Sequence, residues 1–511
     1  MLSRSRLRVL SGAVVIAAIT GLAATLIQPA TAAPAAPAAA DGPVAHFVVL
    51  GAQGHGFRKA EAAVLATGGT IVKSWPQIGV VVATSADPGF AAAVRSKPGV
   101  TGAGATQNLA ELVTPAPVGA LAADSAQARS GANQRALEDT ESVVDSPKGS
   151  LTEPEPLAAN QWDLKMIKAD QAHKINEGSS NVVVGVLDSG IEATHPDLAA
   201  NIDASRSVGC TNQGVPDTSP AAWAPTTSDH GTHVAGSIAA ARNGVGIVGV
   251  APGVKLASIK VVNDDGYIWP EYAICGFIWA AEHGVHVTNN SYFVDPWYLW
   301  CKDDADQKAV ADAVSRAIRY ANRKNVVNVA ALGNSNWDLS HDIVDSGSPN
   351  NGTPIERTTG ENCTKLPAEV HGVVGVSSVG VKGLKSFFSN YGRTETEVAA
   401  PGGDRMQIPS TPDANGRILS TVVNGKWGYK QGTSMASPHA AGVVALIRSA
   451  HPTWSATRVI HALQRGADRQ ACPEGVYDPD GTGAWKATCE GGTTGRGFYG
   501  AGVIDALDAV K

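Results

Sequence analysis

The chain has 511 residues, more than one compact domain ordinarily holds, and 43% of them are hydrophobic, enough for a large core. Acidic residues outnumber basic ones by 46 to 40, for a net charge of −6. That balance argues against a nucleic-acid or anionic-membrane partner, either of which would select a basic surface.

Residues 1–32 read as an export signal. Arg4, Arg6 and Arg8 give a basic start, an apolar stretch follows over 13–27, and Ala30-Thr31-Ala32 places small residues before a cut at Ala33. The apolar run is short for a membrane span and leads into an Ala/Pro tract. The mature protein is therefore expected to be secreted, extracellular and free of the membrane. The cysteines agree. Cys210, Cys275, Cys301, Cys363, Cys472 and Cys489 form an even set without a CxxC pair, which in an exported chain indicates disulfides rather than a metal cluster. Sequence alone does not choose among the many pairings. Cys472 and Cys489 are near enough to close a small loop, and Cys210–Cys275 and Cys301–Cys363 are working pairs.

Residues 43–112 read as a small α/β module. "VAHFVVLG", "TIVKSW" and "IGVVVAT" are strand candidates, "FRKAEAAVLATGG" is a helix with a glycine stop, and "DPGFAAAVRSKPGV" is a short helix before a last strand. The β-α-β-β-α-β order is that of a ferredoxin-like split βαβ unit. Residues 113–150, rich in Ala, Ser, Asp, Gln and Pro without periodicity, read as a flexible linker.

From residue 151 strands alternate with helices. "NVVVGVLDSG" is a continuous apolar run ending in a turn, the pattern of a strand buried on both faces. A helix is expected over 230–242, a strand over 254–262, a helix over 271–283 and a strand in "GVHVTNNS". Residues 306–325 form an amphipathic helix with Val310, Val314 and Ile318 on one stripe, and "VVNVAAL" and "GVVGVSSVG" are further strands. This alternation predicts an α/β fold, a doubly wound, mostly parallel sheet with helices on both faces. Such sheets bind ligands at the carboxyl ends of their strands.

Three polar residues fall at strand ends or helix starts: Asp188 in "VLDSG", His230 in "SDHGTHVAGSIAAA" and Ser434 in "GTSMASPHAAGVVALI". A hydroxyl is a poor nucleophile at neutral pH. A neutral imidazole can take its proton, and a carboxylate can hold the imidazole in the right tautomer. Singly, each residue reads as a turn former, a packed histidine or an N-cap. His233 and His439 are rival imidazoles, and spacing alone barely separates His230 from His233. Pro438 lacks the N–H that would bond the Ser434 carbonyl, so that carbonyl is expected to lack a partner within its helix.

The segments "VVVGVLDSGIEATHPDL", "HGTHVAGSIAAARNGVGIVGVAP" and "GTSMASPHAAGVVAL" resemble the three signature blocks of the subtilisin-like serine peptidases, in that family's Asp…His…Ser order, over roughly residues 160–511. The resemblance implies that Asp188 orients, His230 is general base and acid, and Ser434 is the nucleophile. It implies that Asn334, in "NVAALGNSN", helps hold the oxyanion. It implies an extended substrate lying between Ser291-Tyr292-Phe293 and Ala331-Leu332-Gly333. Tyr292 and Phe293 stand where the family has leucine and glycine, and Leu332 replaces a smaller residue. The side-chain pocket is therefore expected to be reshaped, while main-chain pairing persists. Asp197 and Asn243 align with a family calcium site, whose remaining oxygens would be loop carbonyls. No organic cofactor is implied. Residues 33–112 resemble an inhibitor-type prosegment, which would help folding, occupy the cleft as an intramolecular inhibitor and be cut away. "GFYGAGVIDALDAV" resembles the family domain's last helix, with no C-terminal binding module expected after it.

The expected organisation is thus a signal peptide (1–32), a prosegment (33–112), a linker (113–150) and a peptidase domain (151–511). The expected function is that of a secreted, monomeric serine endopeptidase, self-processed from a precursor and acting on proteins or peptides. The alternatives are a serine esterase and a non-catalytic peptide-binding protein on a peptidase scaffold. The Ser434 context G-T-S-M-A, rather than G-x-S-x-G, argues against the esterase.

Overall fold

The computed structural model of the protein describes residues 43–107, 142–146, 149 and 154–511. The expected export signal and most of the expected linker lie outside these residues.

The N-terminal module contains β1 (Ala45–Gly51), α1 (Arg58–Ala66), β2 (Thr70–Trp75), β3 (Val80–Ser85), α2 (Phe90–Arg95) and β4 (Val100–Ala105). Its four strands form an antiparallel sheet in the order β2-β3-β1-β4, the ferredoxin-like arrangement. Alternation along the strands divides its side chains. Phe47, Val49, Val81 and Ala83 pack under the module's own helices with Phe57, Val64 and Phe90. Val48, Leu50, Val80 and Val82 face the other way, into the core of the large domain.

The large domain is built on one seven-stranded sheet. Within the segment expected to be linker, β5 (Val143–Val144) belongs to a separate small sheet. The main strands and helices follow as β6 (Val183–Asp188), β7 (Val208–Gly209), α3 (His230–Ala239), β8 (Lys255–Lys260), α4 (Pro270–Glu282), β9 (Val287–Asn290), α5 (Ala305–Arg323), β10 (Val327–Ala331), β11 (Val373–Val379), β12 (Val398–Pro401), β13 (Ile418–Val422), β14 (Lys426–Lys430) and α6 (Thr433–Ala450). The sheet order is β12-β11-β10-β9-β6-β8-β7, with every pairing parallel. Period-two burial sorts its faces. Val184 and Val186 pack against α3 and α6, whereas Val183 and Leu187 pack against α4 and α5. The α/β, doubly wound fold expected from the sequence is the fold observed.

The expected stripe of Val310, Val314 and Ile318 on α5 is fully buried, and Asp304 caps the helix by accepting from Asp306 and Gln307 N–H. The N-terminal module rests on α4 and α5. Val48, Leu50, Trp75, Ile78, Val80 and Val82 share one core with Ile268, Tyr272, Ala309 and Val310. Arg316 of α5 donates to the carbonyls of Gly51, Ile78 and Gly79 at 3.0–3.3 Å, and His46 meets the buried Glu271 at 3.1 Å. Gly104 has a steric reason, since a Cβ there would lie 2.3 Å from the Asp306 carbonyl.

Two features depart from expectation. The sequence reading missed the hairpin of β13 and β14, to which β5 adds a third strand. The reading also placed a last helix at 497–510. The structure has only a short helix at Arg496–Tyr499 and a final turn at Asp508–Val510. Gly500 and Gly502, at φ +58° and +140°, take backbone conformations that end the helix. The disulfides are Cys210–Cys275, Cys301–Cys363 and Cys472–Cys489, the working pairs. Among the described residues no helix is long and apolar enough to cross a membrane.

Candidate functional site

Strand order reverses at β6. The chain runs from β6 out to the edge strand β7, back to β8 beside β6, and then crosses to β9 on the other side, so a crevice opens beyond the carboxyl ends of β6, β9 and β10. Asp188 closes β6, Ser291 follows β9, and Asn334 lies just past β10. His230 and Ser434 begin the two helices packed on that side of the sheet, α3 and α6.

Asp188 is 1% exposed. Its two oxygens receive the His230 Nδ1–H at 2.8 and 3.0 Å, and its Oδ1 also accepts the Ser189 N–H at 2.7 Å. A ring that donates from Nδ1 to a carboxylate carries its lone pair on Nε2. The start of α3 presses closely on this turn. The Gly231 N–H donates to Ser189 Oγ at 3.0 Å, and a Cβ on Gly231 would lie 2.5 Å from the Gly190 carbonyl.

The other two imidazoles are committed elsewhere. His233 is fully buried, with Nε2 at 3.2 Å from the carbonyls of Ile418 and Gly428. Burial, helped by the Lys430 ammonium, pulls it down to about 3, so it stays neutral. His439 spans Met435 O at 2.7 Å and Asp163 Oδ2 at 2.8 Å inside the core. Of the two imidazoles on α3 that spacing left open, His230 meets the carboxylate at the end of β6, whereas His233 turns to the backbone of β13 and β14.

Ser434 is 4% exposed and is held from both sides. Its carbonyl, deprived of a helical partner by Pro438, accepts the Ser291 hydroxyl at 2.8 Å. That hydroxyl in turn accepts from Asn289 Nδ2 at 2.9 Å, and Ser437 Oγ donates to Asn289 Oδ1 at 2.7 Å. The polar run after a buried strand thus ties β9 to α6. Asn289 and Ser437 went unremarked in the sequence, although "NNS" at a buried strand end carries the signal. The Ser434 hydroxyl also lies 3.3 Å from the Ser291 carbonyl.

Asn334 Oδ1 accepts the Thr433 N–H at 2.8 Å and the Thr433 hydroxyl at 2.9 Å, while Gly333 N–H donates to that hydroxyl at 2.9 Å. A backbone N–H can only donate, so the bonded atom is the amide oxygen, and the amide nitrogen is turned away from Thr433. Asn334 is therefore oriented by the residue preceding Ser434.

The expected cleft residues divide. Leu332 is fully buried in the core, so it offers only its backbone. The Tyr292 hydroxyl donates to Asn290 Oδ1 at 3.1 Å, and burial near Asp188 pushes that phenol well above its usual range. Phe293 packs on Tyr298, ring centres 4.4 Å apart. Ser291, Ala331 and Gly333 stand where the two strand ends face the crevice.

Asp197 and Asn243 lie together, with a third partner that sequence reading missed. Asp197 is fully buried and accepts from Ile247 N–H at 3.0 Å and Trp427 Nε1–H at 2.7 Å through Oδ2, while its Oδ1 has no hydrogen-bond partner. Glu155 Oε1 accepts the Asn243 N–H at 2.9 Å, and its buried Oε2 likewise has none. Burial pushes Asp197 up to about 7, with the Glu155 charge adding. Two orphaned, buried carboxylate oxygens suit a hard cation. Asn243 is less available, because its Oδ1 already accepts Val245 N–H at 3.0 Å. Among the described residues no group of three His, Cys, Asp or Glu side chains is placed to hold a metal.

A sequence profile described as the subtilase family matches residues 179–493, more than half the chain. The chain belongs to the subtilase family of serine peptidases. Subtilisin DY of Bacillus licheniformis is 33% identical over 306 residues, 60% of this chain and 90% of the relative. Fervidolysin of Fervidobacterium pennivorans is 28% identical over 326 residues, 61% of this chain, and this subtilase spans only 41% of fervidolysin's length. In fold the chain resembles the epidermin leader peptide processing serine protease of Staphylococcus aureus, with a TM-score of 0.64 at 21% identity, over 91% of this chain and 98% of that one.

Proposed function

We propose that this subtilase is a secreted serine endopeptidase, made as a self-processing precursor, with Asp188, His230, Ser434 and Asn334 as its catalytic set. The observation that carries the reading is the carboxylate–imidazole pair at the end of a central parallel strand, with a serine in the first turn of a helix on the same side of the sheet, next to an oriented amide. The Ser434 oxygen attacks the peptide carbonyl while His230 Nε2 takes its proton. The Asp188 carboxylate stabilises the imidazolium that forms. The Asn334 side-chain N–H and the backbone N–H of Ser434 hold the oxyanion. Collapse expels the amine, protonated by His230, and water attacks the acyl-enzyme by the same proton route to release the acid and regenerate Ser434.

Several features support secretion and self-processing: the export-signal pattern of residues 1–32, three disulfides among the described residues, and an N-terminal ferredoxin-like module seated on α4 and α5, which we read as a prosegment and intramolecular inhibitor. A serine-directed fluorophosphonate should label the purified protein, and casein should be cut in preference to p-nitrophenyl esters. Failure to label would favour a binding protein on this scaffold, and ester cleavage without casein cleavage an esterase.

Replacing Asn334 by Ala is expected to lower kcat by about 10²–10³ with KM little changed, a magnitude known from a member of this same family. Steady-state kinetics on one peptide substrate check it.

Calcium is proposed at the Asp197–Glu155 pocket, with carbonyls of the 241–247 loop completing the shell and Asn243 joining if its side chain turns. The ion would supply structural charge balance. In a Ser434→Ala background, where self-digestion is absent, calcium at a hundredfold excess over Kd should raise the unfolding midpoint by about 4 °C. Asp197→Asn can keep the bonds to Ile247 and Trp427 but should lose that response. An unchanged midpoint in the Asp197 protein would rule the site out.

A further inference from the structure

Lys365 is 1% exposed, and its ammonium has no hydrogen-bond partner. It lies between the two segments that flank the cleft. A Cβ placed on Gly333 would come within 3.1 Å of Lys365 Nζ. From the other side, Nζ stands 5.1 Å from the centre of the Phe293 ring and 5.9 Å from that of Tyr298. Gly333 immediately precedes Asn334, and Phe293 lies two residues beyond Ser291. The cation thus lies behind both segments expected to flank the side chain of the scissile-bond residue.

Burying an ammonium without a partner is costly, and lysines rarely accept it. Burial pulls Lys365 down to about 8, which still leaves it charged at neutral pH. Three carboxylates, Glu369, Asp345 and Asp295, attract it, but none hydrogen-bonds Nζ. Asp345 pairs with Arg357 at 2.8 Å and accepts from Gly347 and Ser348 N–H. Asp295 accepts from Ile268 N–H and Asn350 Nδ2. Glu369 Oε2 accepts the backbone N–H of Lys365 itself at 2.8 Å. The two aromatic faces steady the cation without neutralising it. What the position lacks is an anion from outside.

Resting on the peptidase reading above, we propose that Lys365 determines specificity and that the enzyme cuts after glutamate or aspartate, whose carboxylate passes between Phe293 and Gly333 to pair with the ammonium. A neutral amide at that position offers one hydrogen bond without charge. An apolar side chain removes water from the ammonium and returns nothing, and a basic one is repelled. Gly333 matters to this arrangement, because any Cβ would crowd the Lys365 chain.

The test compares peptide substrates that differ only in the residue preceding the scissile bond, using the enzyme produced from the full-length chain and purified after self-cleavage. kcat/KM for Glu should exceed that for Gln by about a hundredfold, the scale of a buried charge pair against its truncated form. Lys365→Met should lower kcat/KM for the Glu substrate by a similar factor and invert the Glu-to-Leu ratio, which a purely structural role would not do. Fluorophosphonate labelling reports whether each preparation carries a competent nucleophile. A wild-type enzyme that labels and cuts but prefers Leu or Phe to Glu overturns the inference and leaves the peptidase reading standing. A wild type that neither labels nor cuts any peptide overturns both. The wild-type comparison decides even if the variant does not fold.

Discussion

Ser434→Ala is expected to reduce kcat by about 10⁶, a loss of the size known for a member of this family, and to leave the precursor uncut. The structure says why folding should survive. Alanine removes the 3.3 Å contact of the hydroxyl to the Ser291 carbonyl, whereas the stronger tie, Ser291 Oγ to the Ser434 carbonyl, uses backbone and persists. Alanine also suits a position in the first turn of α6. The readouts are the turnover of a peptide substrate and the mass of the purified chain. A variant that still turned over at a hundredth of the parent rate would remove Ser434 from the mechanism. A variant that arrived already cleaved would show that another peptidase processes the precursor.

Asp188→Asn is expected to cost about 10⁴ in kcat with KM nearly unchanged. Asp188 Oδ1 accepts both the Ser189 N–H and the His230 Nδ1–H. An asparagine can keep its oxygen toward Ser189, but its NH₂ then faces the ring. That NH₂ takes the place of the Oδ2 that lies 3.0 Å from Nδ1 and directs an N–H at it, which favours Nδ1 as acceptor and moves the ring proton to Nε2, where the base is needed. The geometry survives and the tautomer is wrong. The same kinetics on the same peptide, together with a fluorophosphonate labelling rate that falls in parallel, check the argument. A loss confined to KM would mean that the carboxylate only shapes the cleft.

Much of this was legible in the sequence because burial writes itself into period. The unbroken apolar run of β6 announced a strand covered on both faces, and the Val310–Val314–Ile318 stripe announced α5. The hairpin of β13 and β14 was equally legible and was missed. Val423-Asn424-Gly425, with Asn424 and Gly425 at φ +68° and +65°, is the three-residue turn that joins strands paired at Val422 and Lys426, and Asn-Gly is its signal. Other features have no local signature. Ser291 meets Ser434 across 143 positions of chain. Glu155 joins Asp197 only once the N-terminal stretch of the domain is laid down. Lys365, in an unremarkable "CTKLP", becomes notable only when the fold places it beneath Gly333. Sequence shows which residue types can do chemistry, whereas the distances that give them neighbours come from how the strands are ordered.

The seating of the N-terminal sheet on α4 and α5 carries one more consequence. Trp75, Ile78 and their neighbours complete an interior that belongs to both parts of the chain. If that sheet is discarded after maturation, the working molecule is assembled with help it no longer has. Its service life then depends on how rarely it opens, not on how readily it could close again. A molecule that opens once is lost, and heat or denaturant would inactivate it at a rate instead of holding it at an equilibrium.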